Sequence, residues 1–327
     1  MTIQTRELDP ADRRTRTTLL PVFQAGVAAD TVRHPAPTED FLRFLIGPRP
    51  TRHRRAVTAF DGGTPIGYGS LDQDSQANRD MVFADLWILP ERRADATRPL
   101  LEAFLAYSRG RGCARTVIGF SDLAAPDYDP VFTAAGGRPV AEDWRSDIAL
   151  AAIDRERYAA WAAPSAKNKQ YRVEHWVAPT PEHLLATMVR ASQAMGDAPT
   201  GDLDFQVPPP DVDRRRKAEA MLAADGVRKH CVAAFTEGGE AAGFHEVFVV
   251  PGFPMADVGN TGVVAAHRGH GLGLRLKADL ALRLLEAEPE LAIVNTWNNG
   301  DNEPMLRVNE ALGYIKAETW KTWQFDL

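Results

Sequence analysis

The chain is poor in cysteine, in long apolar runs and in net positive charge, and each shortage argues against a class of protein. Its 327 residues include two cysteines, Cys113 and Cys231, without a CxxC pair, so we expect buried thiols and neither a disulfide nor a metal site. No run reaches the roughly 18 apolar residues of a membrane helix, and the amino terminus lacks a signal-peptide core, which favours a cytoplasmic protein. The formal net charge of −6 offers no basic field for nucleic acid.

What the chain does contain is typical of a folded protein with two cores. Hydrophobic residues make up 44% and charged residues 25%, which argues against disorder. A chain of 327 residues exceeds the usual size of a single core. We therefore expect two domains.

An internal repeat supports that expectation. Residues 57–68 read VTAFDGGTPIGY and residues 232–244 read VAAFTEGGEAAGF, each an alternating strand, a glycine turn and a second strand. The same shift carries Arg93 onto Arg268, and ARTVIGFSD (114–122) matches ELAIVNTWN (290–298). Both halves close with an amphipathic segment, a glycine and an alternating strand. The sequence predicts a tandem of one α+β domain.

The predicted bounds follow from this repeat. The first copy covers residues 1–150, residues 151–170 form a short helix and linker, and the second copy covers residues 171–327. Within the second copy the pattern predicts a strand over 171–177 and helices over about 181–195, 212–224 and 271–286. Prolines and glycines between the first two of these helices predict an irregular loop.

The segment TGVVAAHRGHGLGLRLK (261–277) places a basic, glycine-rich hexamer, residues 268–273, between a strand and a helix. Such a turn presents free amide groups and the positive end of the helix dipole, so we expect it to bind an anion. A P-loop would need Lys-Ser or Lys-Thr after the glycines, and neither follows. A dinucleotide GxGxxG motif would need glycine where Leu274 or Leu276 stands.

The hexamer resembles the pyrophosphate loop of GNAT acyltransferases, Gln/Arg-x-x-Gly-x-Gly/Ala, with Arg268, Gly271 and Gly273 at the fixed positions. The strand ending at Asn298, the segment NEPMLRVNEALGY (302–314) and a final strand then follow in that family's order. The arrangement resembles tandem GNAT-superfamily N-acetyltransferases of the mycothiol-synthase type, as found in actinobacteria. This resemblance implies two tandem GNAT domains, each a mixed, mainly antiparallel twisted sheet flanked by helices, and acetyl-CoA as co-substrate.

The two copies differ at the hexamer. In the first copy the turn reads RADATR (93–98), where Ala96 and Arg98 replace the two glycines and Asp95 adds a negative charge. Side chains there crowd a pyrophosphate and Asp95 repels it. We expect the first domain to be degenerate, with a structural or acceptor-shaping role, and the second to be catalytic.

The resemblance implies that the second domain transfers an acetyl group from acetyl-CoA to a primary amine of a small molecule by direct attack, in a monomer or homodimer. Two alternatives remain open: a protein lysine or N-terminal acetyltransferase, and a non-catalytic acyl-CoA-binding module. No metal is expected. The residues expected to contact the cofactor are Gly262, Val263, Val264, Arg268, Gly269, His270, Gly271, Leu272, Gly273, Asn298 and Asn302.

A general base must take the proton of the acceptor amine, and carboxylates are the candidates. Glu246 comes first and Asp257 second, with a solvent-facing strand residue as the alternative for Glu246; its neighbour His245 should face the other side of the strand. The loop acids, which either attract a cationic acceptor or are simply solvated, are Asp197, Asp202 and Asp204.

The general acid is where the chain departs from the family. Many relatives place a tyrosine near the CoA sulfur at the position of Asn309, and asparagine can hydrogen-bond a thiolate but cannot protonate it. Tyr314 is interpreted as a core residue, and Asn302 has helix capping as its alternative role. The tryptophans that either wall an acceptor pocket or belong to the core are Trp297, Trp320 and Trp323.

Overall fold

The computed structural model describes residues 3–327, and the chain divides into two compact units. The first unit runs through Trp144 and also contains Thr200–Gln206 and Ala317–Leu327. The second unit contains Arg145–Pro199 and Val207–Lys316. In chain order the helices and strands are β1 (Gln4–Leu8), α1 (Arg13–Asp30), α2 (Glu39–Ile46), β2 (Arg52–Asp61), β3 (Thr64–Asp74), β4 (Met81–Ile88), α3 (Arg93–Gly110), β5 (Arg115–Ser121), α4 (Ala125–Ala134), β6 (Arg138–Ala149), α5 (Arg155–Ala162), β7 (Arg172–Val177), α6 (Glu182–Ala191), α7 (Val212–Ala224), β8 (Arg228–Phe235), β9 (Ala241–Val249), β10 (Met255–Val263), α8 (Leu272–Ala287), β11 (Ile293–Asn299), α9 (Glu303–Leu312) and β12 (Ile315–Asp326).

In the first unit the strands lie in the order β1-β2-β3-β4-β5-β12. Neighbouring strands are antiparallel except β4 and β5, which run parallel. Helix α3 buries Leu100 and Phe104 against one face of this sheet, where they meet Ile118 and the aromatic Phe132 of α4. This apolar cluster is the core of the first unit.

The second unit repeats the same connectivity. Its strands lie in the order β7-β8-β9-β10-β11, antiparallel except for the parallel pair β10 and β11. The leucines spaced four apart on α8, Leu272, Leu276, Leu280 and Leu284, are all buried in this unit's core, as the helical spacing predicts. Two mixed, mainly antiparallel sheets flanked by helices confirm the predicted α+β fold class.

The units differ from the predicted domain bounds in four places. Residues 145–150, predicted in the first copy, belong to the second unit. The predicted linker contains α5 and belongs to the second unit, where Tyr158 donates a hydrogen bond from Oη to the carbonyl of Leu312 at 2.6 Å. Residues 200–206 and most of β12 belong to the first unit. In β12, Trp320 pairs with Ser121 of β5. The alternating pattern of β12 predicts a strand but does not specify its partner, so the sequence assigned β12 to the wrong unit.

Cys113 and Cys231 are free and buried. Among residues 3–327, no helix combines the length and the apolar character that a membrane crossing requires. The same described residues contain no group of three or more His, Cys, Asp or Glu side chains arranged to hold a metal ion.

Candidate functional site

Strands β10 and β11 of the second unit pair along only part of their length. The parallel register runs from Met255 opposite Ile293 to Asp257 opposite Asn295 and ends there, although both strands continue. The register between β10 and β9 shifts between Val258 and Asn260, which marks a bulge in β10 directly after Asp257. Beyond the bulge the two strands separate, and we call the opening between their unpaired ends the cleft.

Backbone amides of β10 line this cleft. The amide of Val264 donates to the carbonyl of Ala242 at 2.9 Å, so these two residues form a hydrogen-bonded pair. Because antiparallel pairs alternate between bonded and non-bonded, the Val263 N–H points away from β9 and into the cleft. Of the three predicted backbone contacts, Val263 is therefore the one whose amide is available, whereas the amides of Gly262 and Val264 face β9.

The glycine-rich hexamer forms the turn between β10 and α8. Gly269 and Gly271 have φ angles of 79° and 73°, in the left-handed region where other residues are strained. The first hydrogen bond from α8 back to the turn runs from the amide of Arg275 to the carbonyl of Gly271, at 3.1 Å. No side chain caps the start of this helix. The amides of Leu272 and Gly273 at the start of α8 thus precede the first intrahelical bond and carry the positive end of the helix dipole.

Residues 162–171, most of which were predicted as part of the linker, hold this turn in place. Arg275 of α8 donates from Nη1 to the carbonyl of Asn168 at 2.9 Å and from Nε to the carbonyl of Ala162 at 3.1 Å. Asn168 in turn donates from Nδ2 to the carbonyl of His270 at 3.3 Å, and the Tyr171 hydroxyl lies 3.0 Å from Nδ1 of His267. Sequence reasoning missed these supporting residues, because carbonyl-directed contacts leave no periodic signal.

Arg268 is exposed at the mouth of the turn. Its Nη2 lies 2.5 Å from Oδ2 of Asp197, and its Nε donates to the carbonyl of Val263 at 3.1 Å. Asp197 is thus the loop acid that contacts the glycine-rich turn. Asp202 and Asp204 belong to the other unit.

Asp257 occupies the point where β10 and β11 part. Asn295 donates from Nδ2 to its Oδ1 at 2.6 Å, while Oδ2 is buried and has no hydrogen-bond partner among the described residues. Burial raises the pKa of Asp257 to about 6; the hydrogen bond from Asn295 and the charge of Arg145 oppose the shift and the charge of Asp147 adds to it. A carboxylate with one unsatisfied oxygen and a pKa near neutrality is suited to accept a proton.

Glu246, the first choice from the sequence, lies in a different environment. It is buried between two cations, with Arg215 Nη2 at 2.7 Å and Lys229 Nζ at 2.8 Å from its Oε1. Burial alone would raise the pKa of Glu246, but these two positive charges lower it to about 2. Such a carboxylate holds protons poorly, and its ion pairs bind α7 to the sheet. This geometry favours Asp257 over Glu246 as the base.

Asn309, at the position expected for the general acid, is buried within a short hydrogen-bonded chain. Its Nδ2 donates to Oδ1 of Asn298 at 2.7 Å, and its Oδ1 accepts from Nζ of Lys277 at 2.6 Å. Lys277 was not singled out in the sequence, because its position on α8 resembles an ordinary charged helix residue. Asn302 caps α9 by accepting a hydrogen bond from the amide of Met305.

The tryptophan candidates are divided between the two units. Trp297 is exposed on β11 of the second unit, whereas Trp320 and Trp323 lie on β12 in the first unit. Trp323 is buried in the first unit's core, and Tyr314 packs against the core of the second unit. Trp323 and Tyr314 therefore pack as core residues do.

The first unit has no equivalent of the glycine turn. Helix α3 begins at Arg93, the counterpart of Arg268, and Arg93 is buried in ion pairs with Asp30 and, at 2.9 Å, with Asp127. The last parallel pair of β4 and β5 also contains a carboxylate, Asp85 opposite Gly119. The repeat aligns Asp85 with Asn260, however, and not with Asp257. Both copies thus have a carboxylate at the last parallel pair, but only the second has a glycine turn.

Comparison with solved structures defines the fold. A tandem GNAT protein from the clavulanic acid biosynthesis pathway, solved without acetyl-CoA, superposes with a TM-score of 0.80 at 22% identity, over 99% of this chain and 98% of that one. A GCN5-related N-acetyltransferase from Sphaerobacter thermophilus gives a TM-score of 0.70 at 14% identity, over 99% and 95% of the two chains. The N-myristoyltransferase of Saccharomyces cerevisiae with bound myristoyl-CoA gives 0.60 at 10% identity, over 99% and 78%.

No protein-family model and no curated protein matches the sequence. The likeness therefore lies in the backbone fold. Since the tandem GNAT neighbour matches almost end to end, the chain has the tandem GNAT fold along its whole length.

Proposed function

We propose that the protein is an acyl-CoA-dependent N-acetyltransferase whose second unit transfers an acetyl group from acetyl-CoA to a primary amine of a small molecule. The observation that carries this proposal is Asp257, whose buried Oδ2 has no hydrogen-bond partner among the described residues, at the point where β10 and β11 separate. The solved neighbours described as acetyltransferases support the reaction class.

The cofactor is proposed to bind along the cleft and the glycine turn. Amides at the start of α8, including those of Leu272 and Gly273, are available to the pyrophosphate, and the left-handed Gly269 and Gly271 leave the backbone open. Arg268 adds positive charge once it is released from Asp197. The amide of Val263 then offers a hydrogen bond to the pantetheine arm or to the thioester oxygen in the cleft.

The chemistry follows from the position of Asp257. Its carboxylate takes a proton from the acceptor ammonium, and the resulting amine attacks the thioester carbonyl carbon to form a C–N bond. The C–S bond then breaks and its electron pair stays on the sulfur. A base with a pKa of about 6 is largely ionised at neutral pH, so Asp257 is ready to accept the proton.

Thiol release from acetyl-CoA in the presence of a panel of amines tests the proposal. Small primary amines should release free CoA above background, and peptides should not. D257N should lower kcat/KM at least about a hundredfold, since a positioned base contributes about 10²–10⁴. Acetyl-CoA should still raise the melting temperature of D257N.

Asp85 supplies the control, because it is the carboxylate at the last parallel pair of the first unit, whose turn lacks the glycines. D85N should leave the rate close to that of the wild type. A panel in which only peptides react would favour a protein acetyltransferase. Thermal stabilisation by acetyl-CoA without any reactive amine would favour a non-catalytic binding module and would reject the proposed activity.

A further inference from the structure

Helix α8 carries a charged residue on its buried face. Lys277 lies among core leucines with 2% of its surface exposed. Its Nζ donates to Oδ1 of Asn309 at 2.6 Å and lies 4.9 Å from the centre of the Tyr314 ring. Within residues 3–327 no carboxylate forms an ion pair with it, and burial lowers its pKa to about 7. An ammonium buried without an anion is costly, and an anion brought near it is stabilised.

Lys277 belongs to a set of buried polar groups that reaches both strands of the cleft. Through Asn309 it is connected to Asn298, which lies on β11 beyond the last parallel pair. On the other side, Nδ1 of His245 lies 2.8 Å from Oγ1 of Thr261, which lies on β10 beyond the bulge. A thioester held between the separated strands therefore lies close to this polar set.

The charge in this set is confined to Lys277. Burial and the positive charge of Lys277 hold the pKa of His245 well below its usual value, so that ring is neutral. Burial raises the pKa of Tyr314, so the phenol stays protonated. The titratable groups facing Lys277 are thus His245 from β9 and Tyr314 from the turn after α9, both uncharged at neutral pH.

Asn309 is arranged to transmit this charge toward the cleft. Its amide nitrogen carries two N–H groups, and Asn298 accepts one of them. Among the described residues no acceptor takes the other N–H, which leaves it for a bound ligand. The hydrogen bond from Lys277 to the carbonyl oxygen polarises the amide and strengthens that second donor.

We propose that Lys277 is a positioning residue that, through Asn309, stabilises the thiolate of coenzyme A as it leaves. This inference rests on the proposed function, because it needs coenzyme A in the cleft. When the C–S bond breaks, the electron pair stays on sulfur and Asn309 donates a hydrogen bond to the thiolate. The new negative charge raises the pKa of Lys277 again, so Lys277 keeps its proton. The acceptor ammonium loses two protons: one passes through Asp257 to solvent, and the other neutralises the released thiolate. The net reaction frees one proton.

The test is the acidity of the bound thiol, which requires no acceptor. Coenzyme A is titrated on the protein and its thiolate is followed by ultraviolet absorbance, with desulfo-CoA complexes subtracted as background. A free thiol has a pKa of about 8.5. We expect the bound thiol to ionise at least about one unit lower, which is about tenfold more thiolate at a given pH.

K277M removes the charge and keeps the length of the side chain. It should return the thiol pKa to the free value while coenzyme A still binds, and kcat should fall with KM little changed. N309L should have the same effect with Lys277 present. The matched control is K229M, which removes another buried lysine of the same unit, one paired with Glu246 outside this set; it should leave the thiol pKa lowered.

Three results would overturn the inference. The inference is rejected if the thiol of coenzyme A bound to the wild type has the same pKa as free coenzyme A. It is also rejected if the thiol pKa is lowered in the wild type and stays lowered in K277M. The proposed acetyltransferase activity stands in both cases. If neither coenzyme A nor desulfo-CoA stabilises the wild-type protein, the cofactor site itself is wrong and both proposals fall.

Discussion

Asp257 and Glu246 show how the surroundings of a carboxylate set its pKa. Both are carboxylates on neighbouring strands of one sheet, yet the pKa of Asp257 is raised to about 6 by burial and that of Glu246 is lowered to about 2. The difference comes from Arg215 and Lys229, which lie beside Glu246. The sequence predicted Glu246 as the first candidate and Asp257 as the second, and it gave no sign of the two cations, because they are distant from Glu246 along the chain.

We expect E246Q to destabilise the second unit by about 3–5 kcal/mol, because removing one partner leaves buried cations uncompensated. The pKa of Glu246 is lower in the folded than in the unfolded state, so its contribution is fully present above about pH 4.5 and is lost as the pH falls toward about 2. Urea unfolding of wild type and E246Q at pH 7 and at pH 4 measures this. The difference between them should shrink at the lower pH.

The control for this substitution is E240Q. Glu240 pairs with Arg190 on the surface of the same unit, where solvent screens the charges. E240Q should leave the unfolding midpoint unchanged. An equal loss in both variants would show that burial of the pair is not the cause.

At the scale of elements, the sequence patterns predicted where a helix or strand lies along the chain better than which other element it contacts. The helix α7 was predicted over its observed span, Val212–Ala224, and α8 begins one residue after the predicted start. The leucine spacing and the glycines specify such features locally. The support of the glycine turn by residues 162–171 was not predicted, since backbone carbonyls accept hydrogen bonds from any residue type.

We expect R275L to weaken acetyl-CoA binding without unfolding the unit. The guanidinium of Arg275 ties Ala162 and Asn168 to the start of α8, so its loss leaves the turn less ordered before the cofactor arrives. A loss of about tenfold in affinity is expected, from unpairing one or two buried carbonyls at about 1–3 kcal/mol each, partly offset by solvent. Calorimetric titration with acetyl-CoA measures it.

Arg283 offers a control on the same helix. Its side chain is about half exposed and pairs with Asp279 within α8. R283L should bind acetyl-CoA as the wild type does. If R275L also binds normally, the contacts from residues 162–171 do not shape the turn.

At the scale of the whole molecule, the sequence predicted a tandem fold correctly from one repeated hairpin and its flanking motifs. The two copies have since acquired different turns, Gly269 and Gly271 in one and an ion-paired Arg93 in the other. Their strand topology is unchanged. The residues that form the fold thus differ from those proposed to bind the cofactor, and the prediction that the second copy is catalytic rests on the motif of the turn alone.

Single substitutions in the two turns test whether the cofactor binds to the second unit alone. Gly271 has a φ of 73°, so G271V strains the turn and adds a side chain at its surface; it should abolish stabilisation by acetyl-CoA. In the first unit, A96G should leave cofactor binding unchanged. Thermal shifts with and without acetyl-CoA measure both. Binding that survives G271V and changes in A96G would assign the cofactor to the first unit.

The placement of β12 also sets an order of events during synthesis. Residues 317–327 belong to the first unit, where Phe325 lies in the buried core and Trp320 pairs with Ser121. These residues leave the ribosome after every other segment of that unit and after the whole of the second. The sheet edge beside β5 in the first unit therefore stays unpaired while the second unit is synthesised. The core of the first unit is completed only after residues 317–327 have emerged.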